Sequence, residues 1–180
     1  MLEIENIWQA EMSPSLVQIA YENYVPIRFR SYLKPGDVEE GVRHFLLGTQ
    51  RRRLDLIVTR QSFVLRGLTI DVFDRVSGEG LVGPSQTVGF GLPVLRLPQG
   101  VEFIDEESMA VDTGIDFSVF VGESFVEVKI GGASSFDRAY RHGDVRFLID
   151  SQALVGIRIE GLSQEQVELF KSYLHPKNGG

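Results

Sequence analysis

Six stretches of this chain alternate apolar and polar side chains with a period of two, and no other feature constrains its fold as much. Val25, Ile27 and Phe29 alternate with Pro26, Arg28 and Arg30. Leu54, Leu56 and Val58 alternate with Asp55, Ile57 and Thr59, and Leu68, Ile70 and Val72 with Thr69 and Asp71. Val126, Val128 and Ile130 alternate with Glu127 and Lys129, Val145, Phe147 and Ile149 with Arg146 and Leu148, and Val155, Ile157 and Ile159 with Gly156 and Arg158. Successive side chains of an extended strand point to opposite faces, so each stretch reads as a strand with one face on a core. Turn chemistry supports this. Asp150-Ser151-Gln152 separates two alternating runs, and Gly122-Glu123-Ser124 separates Phe117–Val121 from Phe125–Ile130. Both are hairpin loops by composition. The expected fold is mainly β, an antiparallel sandwich or irregular barrel of about nine to eleven strands.

Two segments carry helical periodicity. Ser163 and Gln166 form a capping box ahead of the apolar stripe Val167, Phe170 and Leu174, and Pro176 follows. This predicts a C-terminal helix over Ser163–Leu174. Asp37 and Glu40 form a second box, with Val38, Val42, Phe45 and Leu46 on one helical face and Gly48 as a stop. Residues 37–47 therefore read as a second helix, which would put the fold at the margin of α+β. The length, 180 residues, suits a single domain over 1–180. The stretch 77–91 holds five glycines and Pro84 and is the place for a sub-domain hinge.

Composition excludes several kinds of chemistry. There is no cysteine, so disulfides, zinc-thiolate sites, iron–sulfur clusters and thiol catalysis are ruled out, and no cofactor is expected. The longest apolar runs, such as Phe45–Leu47 and Leu56–Val58, are far too short to span a bilayer. The first residues, MLEIENIWQAEM, lack the basic and apolar regions of a secretory signal, so a cytoplasmic location and no membrane association are expected.

The net charge of −7 is unevenly distributed. Residues 1–100 carry 11 basic and 11 acidic side chains, and residues 101–180 carry 7 and 14. Glu102 to Glu127 contains eight acids and no Lys or Arg, whereas Arg28 to Arg66 contains nine basic residues against four acidic. An excess of negative charge argues against nucleic acid as a partner, because phosphate binding draws on surplus positive charge. The run Arg51-Arg52-Arg53, with Arg60 and Arg66 nearby, offers a docking site for an acidic protein partner or for the chain's own acids Glu102, Asp105, Glu106 and Glu107 in self-association. These acids lack the spacing of a calcium-binding EF-hand loop and read as an exposed loop.

Catalytic patterns are sparse. Gly78-Glu79-Gly80-Leu81-Val82-Gly83 fits G-x-G-x-x-G, but Pro84 and a non-helical segment follow, so the helix N-terminus that would hold a pyrophosphate is missing. His44, His142 and His175 have no metal-ligand spacing. His142, with Asp137, Asp144, Ser134 and Ser135 close in sequence, supplies the components of a Ser/His/Asp set without an elbow motif. Ala110-Val111-Asp112-Thr113-Gly114 resembles the active-site loop of retroviral-type aspartic proteases, although Ile115 stands where that family has a small residue. The resemblance implies a dimeric hydrolase in which Asp112 shares a proton with its counterpart. The local reading is a turn, with Asp112 capping it and Gly114 supplying a positive φ. The sequence thus favours a non-enzymatic binding or regulatory module acting through protein–protein contacts. A hydrolase of aspartic-protease type using Asp112 is the alternative.

Overall fold

The structure, a computed structural model, describes residues 1–9, 15–21, 25–31, 41–49, 52–72, 78–97, 99–101, 103 and 109–174. It is mainly β, and the described residues form strands in two sheets and one helix near the C-terminus. The first sheet runs β10 (Phe117–Val121), β11 (Val126–Ile130), β14 (Ala153–Ile159), β13 (Val145–Asp150), β12 (Arg138–His142), β7 (Gly89–Phe90). To it belong β1 (Leu2–Trp8), which pairs with β14 at Leu2 and Glu3, and β8 (Leu92–Leu95), which pairs with the rest of β1. The second sheet runs β2 (Ser15–Tyr21), β3 (Val25–Ser31), β6 (Leu65–Val72), β5 (Arg52–Thr59), β4 (Val42–Thr49), β9 (Ala110–Asp112). Among the described strands pairing is antiparallel except for two short parallel pairs, β12 with β7 and β4 with β9. The six alternating stretches are β3, β5, β6, β11, β13 and β14.

One apolar cluster joins the facing sides of the sheets, with Ile27, Phe29, Leu54, Leu56, Leu68 and Ile70 from the second and Val126, Val128, Phe147 and Ile157 from the first. Phe29 and Phe147 meet edge to face at 6.3 Å, a favoured aromatic geometry. The helix α1 (Gln164–Leu174) lies against β2 and β3 and adds Val167 and Phe170 to this core. Its cap forms as expected. Ser163 N–H donates to Gln166 Oε1 at 2.9 Å, and Gln166 N–H donates to Ser163 Oγ at 3.2 Å.

The reading of 37–47 as a helix is corrected over its described part. Residues from Val42 onward form β4, paired along its whole length with β5, and positions 37–40 lie outside the described residues. The helical face grouped Phe45 with Leu46, but it is Phe45 and Leu47 that are buried while Leu46 is half-buried. That is a period of two, and tertiary pairing with β5 overrides the local capping signal. Gly41, at φ +94°, precedes the strand, and Gly48, at φ +97°, lies inside it paired with Arg53 and ends no helix.

The outer face of the first sheet is also covered. Residues 78–88 cross it, with Val82 bridged to Ser135 and Leu81 buried against Phe136, Ala139, Leu148, Ala153 and Val155. Beneath this segment, the register places Glu127 opposite Arg158, and Arg158 opposite Arg146. Glu127 is fully buried and holds Arg158 with both carboxylate oxygens engaged. Arg158 Nη2 and Nε lie 2.6 and 2.8 Å from Oε2, and Leu81 N–H donates to Oε1 at 2.6 Å. Arg146 pairs with Glu160 at 3.1 Å and donates to Ser85 O at 3.1 Å. Each guanidinium thus has its own carboxylate, which offsets the repulsion of two arginines facing each other across strands.

Candidate functional site

The outer face of the second sheet contrasts with this. The strand registers align Arg30, Gly67, Ile57, His44 and Ala110 in one cross-strand row and Arg28, Thr69, Asp55, Leu46 and Asp112 in the next. Odd positions of β3 (Ile27, Phe29, Ser31) turn to the core, so Arg28 and Arg30 turn away from it. The alternation that built the strand therefore also fixed its arginines on the opposite face.

A pocket of about 280 Å³ opens on this face, lined by Arg30, Arg66, His44, Ile57, Gly67 and Ser31 among others. Its base is the backbone at Gly67. A Cβ there would meet Phe29 O at 2.7 Å, so only glycine fits without a backbone shift, and its missing side chain leaves the notch between Arg30 and Ile57. Among the described residues, the lining contains two arginines and a histidine and no carboxylate. Burial pushes the Arg66 guanidinium below its usual pKa, and the neighbouring charge of Arg30 pushes it further the same way. His44 is fixed through Nδ1, which lies 2.8 and 3.0 Å from the two Asp55 carboxylate oxygens. The Asp55 charge is thereby directed at the imidazole rather than at the arginines.

Ser31 closes the pocket on the core side. Its Oγ shares a 2.9 Å hydrogen bond with His142 Nε2, and both side chains are buried. This bond joins β3 of one sheet to β12 of the other. His142 also meets Phe29 edge to face at 6.5 Å, and burial holds its pKa below the usual value. The separation suits a nucleophile and its base, but among the described residues no acid bonds the other ring nitrogen. Asp137 instead pairs with Arg138 and accepts the Ser151 N–H, and Asp144 lies 3.9 Å from Arg141. The acids next to His142 in sequence are therefore turned elsewhere, and its partner lies 111 positions away.

Asp112 ends β9 on an exposed turn. Its Oδ1 accepts the Gly114 N–H at 2.9 Å, and Gly114 takes φ +63°. The buried Thr113 anchors the turn, with its Oγ1 donating to Leu46 O at 2.9 Å. The loop at 78–83 is not followed by a helix, and its Leu81 N–H serves Glu127 rather than a phosphate. Arg51 and the acids Glu102, Asp105, Glu106 and Glu107 lie outside the described residues. Arg52 starts β5, and Arg53 follows it with an exposed side chain. The acidic stretch is not uniformly solvated, since Glu127 at its end is the buried ion-pair partner.

A larger depression of about 690 Å³ lies between the turns at 114–118 and 131–133. Lys129, which lines it, donates to Glu79 O at 2.9 Å. Among the described residues, no group of three or more His, Asp or Glu side chains is placed to hold a metal, and no helix is long and apolar enough to cross a membrane.

The basic pocket was only half legible in the sequence. The richness of Arg28–Arg66 in base was visible, but Arg30 and Arg66 are brought together by the β3–β6 pairing, and Gly67 carries no local signal. No protein-family model matches this chain, and a search of curated proteins finds no match.

Proposed function

We propose that this chain is a non-enzymatic binding module of the cytoplasm that docks an acidic partner polypeptide on the outer face of its second sheet. One observation carries the reading: Arg30 and Arg66 line a pocket whose described residues include no carboxylate, in a chain whose net charge is −7. The arginines of the first sheet show the alternative arrangement, in which Arg146 and Arg158 each have an acid of their own. A half-buried guanidinium without such an acid is stabilised when a partner brings one. Surplus negative charge elsewhere repels an acidic partner and so restricts docking to this face. The aspartic-protease alternative has less support, because the Asp112 carboxylate is occupied as a turn cap.

The test is fluorescence anisotropy with a labelled polyglutamate peptide. Binding is expected to weaken with added salt, as screening requires, and to be lost in the Arg30→Glu/Arg66→Glu variant. Absence of binding, or binding that the double variant leaves intact, overturns the reading.

A further inference from the structure

We propose that the pocket beside Gly67 is a subsite for a doubly charged phosphoryl group carried by the partner, with Arg30 and Arg66 as its ligands. The inference rests on the outer face of the second sheet being the binding surface, and it names what the centre of that face takes.

Charge comes first. Among the described residues the lining presents two guanidiniums and no acid, and Asp55 is held on His44 Nδ1 by both of its oxygens. A single carboxylate would neutralise one arginine and leave the other facing it. A phosphate monoester carries about −1.5 to −2 at neutral pH and neutralises both. Its oxygens also accept from two planar forks at once, which suits arginine better than a point cation. The repulsion that Arg30 exerts on Arg66 is then replaced by attraction to one shared anion.

Shape agrees. Gly67 sits between Arg30 and Ile57 in the cross-strand row, and the missing side chain leaves the arginine stem and the Ile57 methyl as walls. A Cβ at this position would come within 3.6 Å of both Arg30 Cγ and Ile57 Cδ1. The volume, about 280 Å³, has room for a phosphoryl group together with the side chain that bears it. His44 also lines the pocket, and its Nε2 has no hydrogen-bond partner among the described residues. Once protonated, it is a third donor for such a group.

The experiment is titration calorimetry at constant ionic strength and about pH 7.5, where the phosphoryl group is mostly dianionic. Four probes are compared: inorganic phosphate, acetate, a glycine-flanked phosphoserine pentapeptide, and the same peptide unphosphorylated. The phosphopeptide and inorganic phosphate are expected to bind, and acetate and the unmodified peptide are not. Arg30→Ala and Arg66→Ala are each expected to weaken phosphopeptide binding by roughly tenfold or more, as loss of a charge-assisted bond implies. Arg96→Ala, which removes an exposed arginine paired with Glu3, leaves it unchanged. Thermal melts establish that each variant is folded, and Arg30→Ala alters an exposed side chain, so it reports even if the Arg66 variant does not fold. Acetate binding as tightly as phosphate overturns the inference. So does inorganic phosphate binding while the phosphopeptide does not, or phosphopeptide affinity unmoved in Arg30→Ala. Retained polyglutamate binding without any phosphate binding overturns this inference alone, whereas loss of both removes the binding surface itself.

Discussion

Ser31 and His142 share a hydrogen bond of 2.9 Å that ties β3 of the second sheet to β12 of the first, with both side chains buried. Burial holds the His142 pKa below its ordinary value of 6.5, so the folded state favours the neutral ring. The unfolded chain binds a proton as pH falls through about 6.5 while the folded chain resists it. This contribution to stability is therefore present above pH 6.5 and is lost progressively below it. Urea midpoints are expected to fall between about pH 7.5 and 5.5, a window chosen to stay above most carboxylate titration. The decline is expected to flatten in His142→Gln. An equal slope in the variant would assign the pH dependence to other groups.

The Glu127–Arg158 pair yields a stability test. Glu127 is fully buried, and its removal leaves Arg158 partly buried without its acid, with the Leu81 N–H also unpaired. Glu127→Ala is expected to cost about 3–5 kcal/mol, the usual penalty for breaking a buried pair from one side. The Glu127→Leu/Arg158→Met double variant removes both charges and is expected to recover much of that loss. Chemical denaturation checks both. A loss below about 1 kcal/mol, the level of an exposed pair, would show that the 78–88 segment does not shield this pair from water.

Much of this architecture was legible in advance. Strands whose faces differ in polarity, such as β3 and β14, are marked by alternation alone, and the Ser163–Gln166 box marked α1. Three of the strands outside the six alternating stretches have a plain reason for escaping that pattern. β7 and β9 are too short to show a period, at 2 and 3 residues. β8 is buried on both sides, so its sequence does not alternate. The pocket was hidden for a different reason. Arg30 and Arg66 are 36 positions apart, and only the register Arg30–Gly67 brings them together. The Ser31–His142 bond spans 111 positions. β3 and β6 are not joined by a hairpin turn, so no local turn fixes their register.

Asp112 separates the turn reading from the catalytic one. Asn retains an oxygen that can accept from the Gly114 N–H, so Asp112→Asn is expected to change stability by less than about 0.5 kcal/mol. Asp112→Ala removes the cap and is expected to cost about 1 kcal/mol, as at other local side-chain caps. Neither wild type nor Asp112→Asn is expected to cleave unstructured peptide substrates. Cleavage by the wild type that disappears in Asp112→Asn would establish the hydrolase.

Gly67 is the point at which fold and pocket meet. Gly67→Ala places a methyl 2.7 Å from Phe29 O, and a backbone shift must relieve it. Destabilisation by about 1–3 kcal/mol is expected, as for other overpacked sites. An unchanged thermal midpoint would mean that β3 and β6 separate there easily and that the notch is not rigid.

The central claim is that the outer face of the second sheet binds an anionic group through Arg30 and Arg66. The most direct measurement is a heteronuclear NMR titration of the ¹⁵N-labelled chain with the phosphoserine pentapeptide. The expected result is saturable shifts confined to amides around Arg30, His44, Ile57 and Arg66–Leu68, absent in Arg30→Glu/Arg66→Glu. Shifts centred instead on the first sheet, around Glu127 and Arg158, or no saturable shifts at all, would contradict it.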